Sequence, residues 1–382
     1  MENIHNNLTK FTEPIYVTRP FLPDFDCLVE NLKEVWLSKH VTNCGPKHME
    51  LENLLCEHLK TPFLSLFNNA TIALFTACNV LKLEGEVITT PFTFAATPHA
   101  IALNKLKPVF CDIDNDSLTI DTDKIEELIT DKTTAILPVH VFGVPCDVYK
   151  INQIASKYNL KVIYDAAHAF GIELNGQGIA EFGNVSVFSF HATKLFNTIE
   201  GGAITTKDNQ LKVAIDRFRN FGIENESSVL DIGLNGKLNE LQACVGLVGL
   251  KYLQKESDKR KLLVEAYHSC LSDVTGIYFQ KSKMDFKPNF LYLNIRINEN
   301  EFGKSRNYIY DKLKEYNVYT RKYFHPLCSD FTCYKDISSS QKNNLPIANK
   351  VVDETLCLPL YGDLKIEEVE HICKLIKSLQ HS

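Results

Sequence analysis

From about residue 60 onward, short apolar runs rich in β-formers alternate with stretches of helical periodicity, and this alternation constrains the fold more than any other feature of the chain. Strands are predicted at residues 63–67, 86–89, 108–112, 134–139, 161–165 and 185–190, with helices between them at 70–83, 95–103, 122–129 and 147–158. Strands spaced by helices of this length build βαβ units, so the expected architecture is α/β, a mostly parallel sheet flanked by helices on both faces. Near-continuous apolar runs such as 135–139 fit strands covered on both sides. The rhythm changes near Gly236. A long helical pattern covers 237–271, an alternating strand 290–297, a helix 303–316 and an amphipathic terminal helix 366–379, which together predict a smaller α+β C-terminal unit. No Pro/Gly/Ser-rich linker separates the parts, so the chain is expected to divide into a large domain over 1–248 and a smaller one over 249–382, joined through a shared helix.

Composition narrows the function classes. Of 382 residues, 45% are hydrophobic and 23% charged, and the net charge of −6 comes from interspersed acids and bases. A chain like this buries a sizeable core and lacks the basic footprint of a nucleic-acid binder. Its twelve cysteines are irregularly spaced, several lie inside apolar runs, and Cys328 and Cys333 have no second pair of ligands nearby. Reduced thiols and no metal site are therefore expected. The start Met1-Glu-Asn-Ile-His5 lacks the basic and apolar regions of a signal peptide, and no apolar run approaches the length of a membrane span. The expected location is the cytoplasm, with no membrane partner.

The residues with chemical potential gather at predicted strand ends. Lys194 follows the run 185–190 within four residues, at the rim of a buried strand where desolvation disfavours its ammonium form. An amine with a lowered pKa attacks carbonyls. Asp165 closes the strand 161–165, at the edge where open α/β sheets bind ligands; aspartate also caps helices, and the two readings are evenly balanced. Asn69-Ala-Thr71 joins a strand to a helix whose first amides are unsatisfied donors, a ready phosphate site, although on these residues alone capping by Asn69 is the stronger reading. Phe94 follows another strand, where its ring would stack on a flat heteroaromatic ligand or belong to the core. Ser189 lies five residues before Lys194, and Glu200-Gly-Gly202 allows close approach of a ligand or second chain. An amine, a buried carboxylate, a phosphate-binding helix start and an aromatic ring at one sheet edge are the set that pyridoxal 5′-phosphate requires.

At this point the chain resembles the DegT/StrS family of sugar-nucleotide aminotransferases, which have the PLP-dependent transferase fold of type I. Matching segments run along nearly the whole chain: Arg19-Pro-Phe-Leu-Pro23, Asn43-Cys-Gly-Pro46, Asn69-Ala-Thr71, Pro91-Phe-Thr-Phe94, Pro138-Val-His-Val-Phe-Gly143, Asp165-Ala-Ala-His168, Ser189-Phe-His-Ala-Thr-Lys194, Glu200-Gly-Gly202, Arg219-Asn-Phe-Gly222, Asn235 and Tyr323-Phe-His-Pro-Leu327. The resemblance implies that Lys194 anchors the cofactor covalently and then carries the proton, and that Asp165 pairs with the pyridinium nitrogen. It implies that Ala70, Thr71 and Ser189 hold the phosphate, that Phe94 stacks on the ring, and that Asn235 reaches the cofactor of a neighbouring subunit, making a homodimer with shared active sites. Tyr323 and His325 stand where relatives contact the sugar nucleotide. His168 departs from the pattern, since many relatives carry glutamine there; an imidazole still hydrogen-bonds the cofactor. The segments around Lys194 and Asp165 look most like the branch that moves an amino group from glutamate onto C4 of dTDP-4-keto-6-deoxy-D-glucose for surface polysaccharide (O-antigen) synthesis. The alternatives are 3-amination of a dTDP-3-keto-6-deoxy sugar and a non-catalytic PLP-binding sensor.

Overall fold

The computed structural model describes residues 8–380. At its centre is a seven-stranded sheet built from β1 (Phe63–Phe67), β2 (Glu86–Thr89), β3 (Lys107–Phe110), β4 (Thr133–Leu137), β5 (Lys161–Asp165), β6 (Val185–Ser189) and β7 (Gly202–Thr206), in spatial order 1-7-6-5-4-2-3. Every neighbouring pair is parallel except those made by β7, which runs antiparallel to β1 and β6. Reversal of β7 brings its first residue, Gly202, to the edge where β1, β5 and β6 end.

Alternate residues of each strand feed opposite layers, as a pleated strand requires. On one face Leu64, Leu66, Val162, Tyr164 and Phe188 meet α2 (Pro46–Leu59) through Leu51, Leu55 and Leu59, and α5 (Val148–Tyr158) through Val148, Ile151 and Ile154. On the other, Phe67, Ile163, Val185 and Val187 meet α3 (Ala70–Val80) through Ala73, Leu74 and Ala77, α4 (Ala96–Leu103) through Ala100 and Ile101, and α6 (Asn209–Phe218) through Ile215. Burial on both faces explains why these strands read as apolar runs. α1 (Phe25–Ser38) lies against the long helix α7 (Glu240–Leu271). α7 opens with an Asn239–Gln242 capping box, gives Leu247 and Leu253 to the sheet core, and gives Leu263, Tyr267 and Leu271 to a second core. There they meet β8 (Ile277–Phe279), β9 (Leu293–Ile297), β10 (Thr355–Leu358), α8 (Arg306–Glu315) and α10 (Ile366–Leu379); α9 (Pro346–Glu354) adjoins β9. The expected division at 248/249 falls inside α7. No helix among the described residues is long and apolar enough to cross a membrane.

One expected element differs. In place of a helix over 122–129 there is a single 3-10 turn at Glu126–Leu128. Asp121 accepts the Asp123 amide with its side chain, Lys124 turns to pair with Asp112, and Ile125 is driven into the core. Aspartate side chains that bond to nearby backbone favour turns over helix, and here they prevail.

Candidate active site

Where the parallel strands end, a cavity of about 270 Å³ opens, walled on the C-terminal side by Tyr292, Tyr323 and Phe324. Its wall includes Ala70, Thr71, Phe94, Asp165, His168, Ser189, Lys194 and Tyr323, so eight of the ten residues singled out in the sequence come together. Asn235 and His325 do not line it. Both are exposed; Asn235 pairs by a β-bridge with Asn220, and His325 follows Phe324, whose ring takes the place in the wall.

The helix start is capped and still leaves donors free for an anion. Asn69 caps α3 by accepting the Ile72 amide at 2.9 Å, which leaves the Ala70 and Thr71 amides without partners among the described residues. Those two N–H groups sit at the positive end of the helix, where an anion is favoured. β7 passes directly beneath them: a Cβ on Gly202 would stand 2.7 Å from the Ala70 nitrogen, so glycine alone permits this approach. Ser189, at the end of β6 and hydrogen-bonded weakly to the His191 amide at 3.5 Å, borders the same space.

No helix begins at Asp165, which removes the capping alternative. Its carboxylate is buried and held by two donors, Thr97 Oγ1 at 2.7 Å on one oxygen and the Ala167 amide at 3.1 Å on the other. Thr97 in turn meets Thr93 Oγ1 at 2.9 Å. Burial raises the Asp165 pKa above the ordinary aspartate value, opposed by the hydrogen bonds from Thr97 and Ala167 and by the charge on Lys194. Lys194 is lowered to about 8 by burial, with the Asp165 charge pulling the other way. That is the direction expected of an amine at the rim of a buried strand, and it makes a neutral nucleophile accessible near physiological pH.

His168 is buried and its pKa lies well below the usual histidine value, through burial first and the Lys194 charge second. Its Nδ1 accepts the Phe142 amide at 3.1 Å, which puts the ring proton on Nε2. The imidazole is nearly parallel to the rings of Phe142 and Phe324, at interplanar angles of 6° and 7°. A neutral, oriented donor results, matching the donor side of an amide at this place. The Phe94 ring is 64% exposed while lining the cavity, which is open area for stacking instead of core. At the mouth, His191 lies 3.7 Å from Glu200.

Four contributors were not read from the sequence. Thr93, Phe324 and Tyr292 line the cavity, and Thr97 stands behind it on the Asp165 carboxylate. Thr93 and Thr97 stand four residues apart around Phe94, a spacing that would have signalled a shared direction as a helix begins. Tyr292 arrives from the segment that leads into β9, 98 residues after Lys194, and no local pattern announces it.

These donors fit pyridoxal 5′-phosphate: unpartnered helix-start amides for an anion, a carboxylate beside a buried amine, and a flat space between Phe94 and His168. Comparison with known proteins agrees. The chain is 46% identical over 365 residues to a dTDP-4-amino-4,6-dideoxy-D-glucose transaminase of Escherichia coli, covering 95% of this chain and 98% of that protein. It is 44% identical over 370 residues to the enzyme of the same name from Shigella dysenteriae, covering 96% and 100%. Among solved structures it is similar to DesI determined with its TDP-sugar product, at a TM-score of 0.93, 31% identity and coverage of 99% and 95%. Residues 26–377 match the DegT/DnrJ/EryC1/StrS aminotransferase family, and the chain belongs to that family.

Proposed function

We propose that this protein transfers the amino group of glutamate to C4 of dTDP-4-keto-6-deoxy-D-glucose, using pyridoxal 5′-phosphate, to give dTDP-4-amino-4,6-dideoxy-D-glucose and 2-oxoglutarate. The observation that carries this reading is the meeting of Lys194, Asp165 and the α3 start in one cavity at the ends of neighbouring strands. Two relatives at 46% and 44% identity bear the name of this activity. The cofactor supplies an electron sink for the carbon that loses and gains a proton. Lys194 anchors it and, once released, moves that proton; its lowered pKa keeps a free amine available. Asp165 holds the ring nitrogen, while the Ala70 and Thr71 amides with Ser189 hold the phosphate. His168 would offer the cofactor a donor from Nε2, and Phe94 would offer it a stacking face. Tyr323 in the wall and His325 outside it take the nucleotide sugar.

The same reading makes the enzyme a cytoplasmic homodimer that serves surface polysaccharide synthesis. Asn235 lies outside its own cavity on a segment flanked by exposed apolar residues, Leu230 and Ile232 among them, the latter 93% exposed. Covering that segment with a second copy would bring Asn235 to the partner's cofactor. Incubation with glutamate and a panel of 3- and 4-keto-6-deoxy sugar nucleotides, followed by identification of the product, tests the assignment. A 4-amino sugar is expected; amination confined to a 3-keto sugar would overturn the substrate, and no amination with any donor would favour a PLP-binding sensor.

A further inference from the structure

We propose, resting on the aminotransferase reading above, that Tyr292 is a positioning residue of the reaction: its hydroxyl holds the Lys194 amine toward the reacting carbon between proton transfers. The phenol oxygen lies 3.4 Å from Lys194 Nζ, and Nζ makes no other hydrogen bond among the described residues. The ring centroid is 5.5 Å from the same nitrogen. A released lysine needs something to aim it, because its four-carbon stem otherwise samples many rotamers.

The position of Tyr292 is built into the turn that follows Asp165. Asn289 Nδ2 donates to the backbone oxygens of His168 and Phe170 at 2.9 and 3.0 Å, and its Oδ1 accepts the Leu291 amide at 3.2 Å. Arg260 Nη1 reaches the Leu291 oxygen at 3.5 Å. The Tyr292 ring then stands edge-on to His168 at 4.9 Å, to Phe142 at 5.8 Å and to Tyr323 at 6.0 Å. Segment 289–292 of the C-terminal part is thus fastened to the loop that carries the carboxylate, and its hydroxyl is delivered to the lysine.

A phenol suits the task better than a carboxylate would. It accepts from an ammonium and donates to a neutral amine, so it serves both states of Lys194. Burial raises the Tyr292 pKa above the ordinary tyrosine value, so the group stays uncharged and does not trap the ammonium in an ion pair. At 3.4 Å the bond is long and released at little cost. The other ionisable groups that bear on Lys194 are Asp165 from β5 and His168 from the turn after it, with Tyr323 next to Tyr292.

Tyr292→Phe keeps the ring contacts and removes the oxygen alone. The first measurement is acetic anhydride labelling of Lys194 across pH, read by mass spectrometry on the full-length chain stripped of cofactor. Losing an acceptor for its ammonium, Lys194 is expected to show a lower labelling midpoint in the variant, with the melting temperature unchanged. In the holoenzyme the single-turnover rate of the glutamate half-reaction is expected to fall about 3- to 10-fold, the worth of one neutral hydrogen bond, with KM for both substrates unchanged. An unmoved labelling midpoint overturns the proposal. So does a moved midpoint with an unchanged rate, or a slower rate accompanied by a lower melting temperature. Labelling needs neither cofactor nor substrate, so its outcome stands apart from whether the enzyme aminates a sugar.

Discussion

Thr97→Val removes one oxygen from the site and leaves the shape of the side chain nearly intact. Thr97 Oγ1 donates to Asp165 Oδ2 at 2.7 Å inside the protein, and the Ala167 amide is the second donor to that carboxylate. A hydrogen bond to a charged group contributes about 1.5–3 kcal/mol, which at about 1.4 kcal/mol per pKa unit moves Asp165 up by about one to two units. Burial has already raised this carboxyl above its unfolded value, so the folded state binds its proton more tightly than the unfolded one. Stability therefore falls as pH rises from the unfolded value through the folded value, and the variant extends that window upward. Below both values the two proteins differ little. Above both, the cofactor-free variant loses about 1.5–3 kcal/mol, or about 2–4 °C at about 2.1 cal/mol/K per residue for 382 residues. In the holoenzyme an ionised Asp165 is needed to hold the ring nitrogen's proton, so the acid limb of the pH–rate profile should move up by about one to two units. The assay pairs thermal melts at several pH values with steady-state rates of amination. An acid limb and a melting temperature both identical to those of the parent enzyme would refute the reasoning.

Lys194→Met, melted in urea without cofactor, isolates the cost of a partly buried amine. The parent lysine falls from 10.5 unfolded to about 8 folded, so the unfolded chain binds the extra proton between those values and stability rises with pH across them; the variant lacks this slope and is more stable by about 3 kcal/mol at pH 7. Equal slopes would contradict the assignment of that lysine as a lowered amine. Glu52→Gln is expected to cost about 3–5 kcal/mol, since Glu52 pairs with Arg219 at 2.9 Å and Lys212 at 3.3 Å and accepts the Leu66 amide at 3.0 Å; chemical denaturation measures it, and a loss under 1 kcal/mol would show the cluster to be mere surface pairing. Mixing Lys194→Ala chains with Asn235→Asp chains should restore about a quarter of parental activity, because half of the dimers are mixed and each then holds one intact site. No recovery on mixing would place Asn235 outside its partner's site.

Strands β1, β2 and β5 and the terminal helix α10 were legible at their observed limits because their sequences obey one local rule each: an apolar run bounded by turns, or a 3.6-residue stripe. α1 and α2 were not read. α1 exposes Phe25, Trp36 and Leu37 and buries Val35 alone, so its apolar residues do not mark a buried stripe. α2 carries the polar Lys47 and His48 on its buried side, which blurs its stripe. Within the site, Lys194, Asp165 and the Asn69-Ala-Thr71 start were legible because each lies at or shortly after the end of a strand, and parallel strands deliver their ends to one edge. Tyr292 was not. Its place depends on the fastening of segment 289–292 to the Asp165 turn through Asn289, a long-range contact that strand periodicity does not encode.

The electrostatics of the chain explain why such long-range groups matter. Burial disfavours charge on Lys194 and on Asp165 alike, and the two residues offset that cost only in part for each other. The site therefore treats its two central groups differently through their hydrogen bonds. Asp165 has a hydroxyl and an amide, both of which stabilise a carboxylate. Lys194 has one neutral phenol, which favours its ammonium only weakly across 3.4 Å and leaves burial to lower its pKa. His168 is pinned as a neutral donor by a backbone amide on its other nitrogen. A ring with a cationic nitrogen and an anionic phosphate complements this pattern at both ends, the nitrogen against the carboxylate and the phosphate against the helix start, while nothing in it requires Lys194 to be charged. An amine that must lose its proton to attack and a carboxylate that must be ionised to hold one nearby are moved toward those states by different means, burial for the first and the hydrogen bonds from Thr97 and Ala167 for the second.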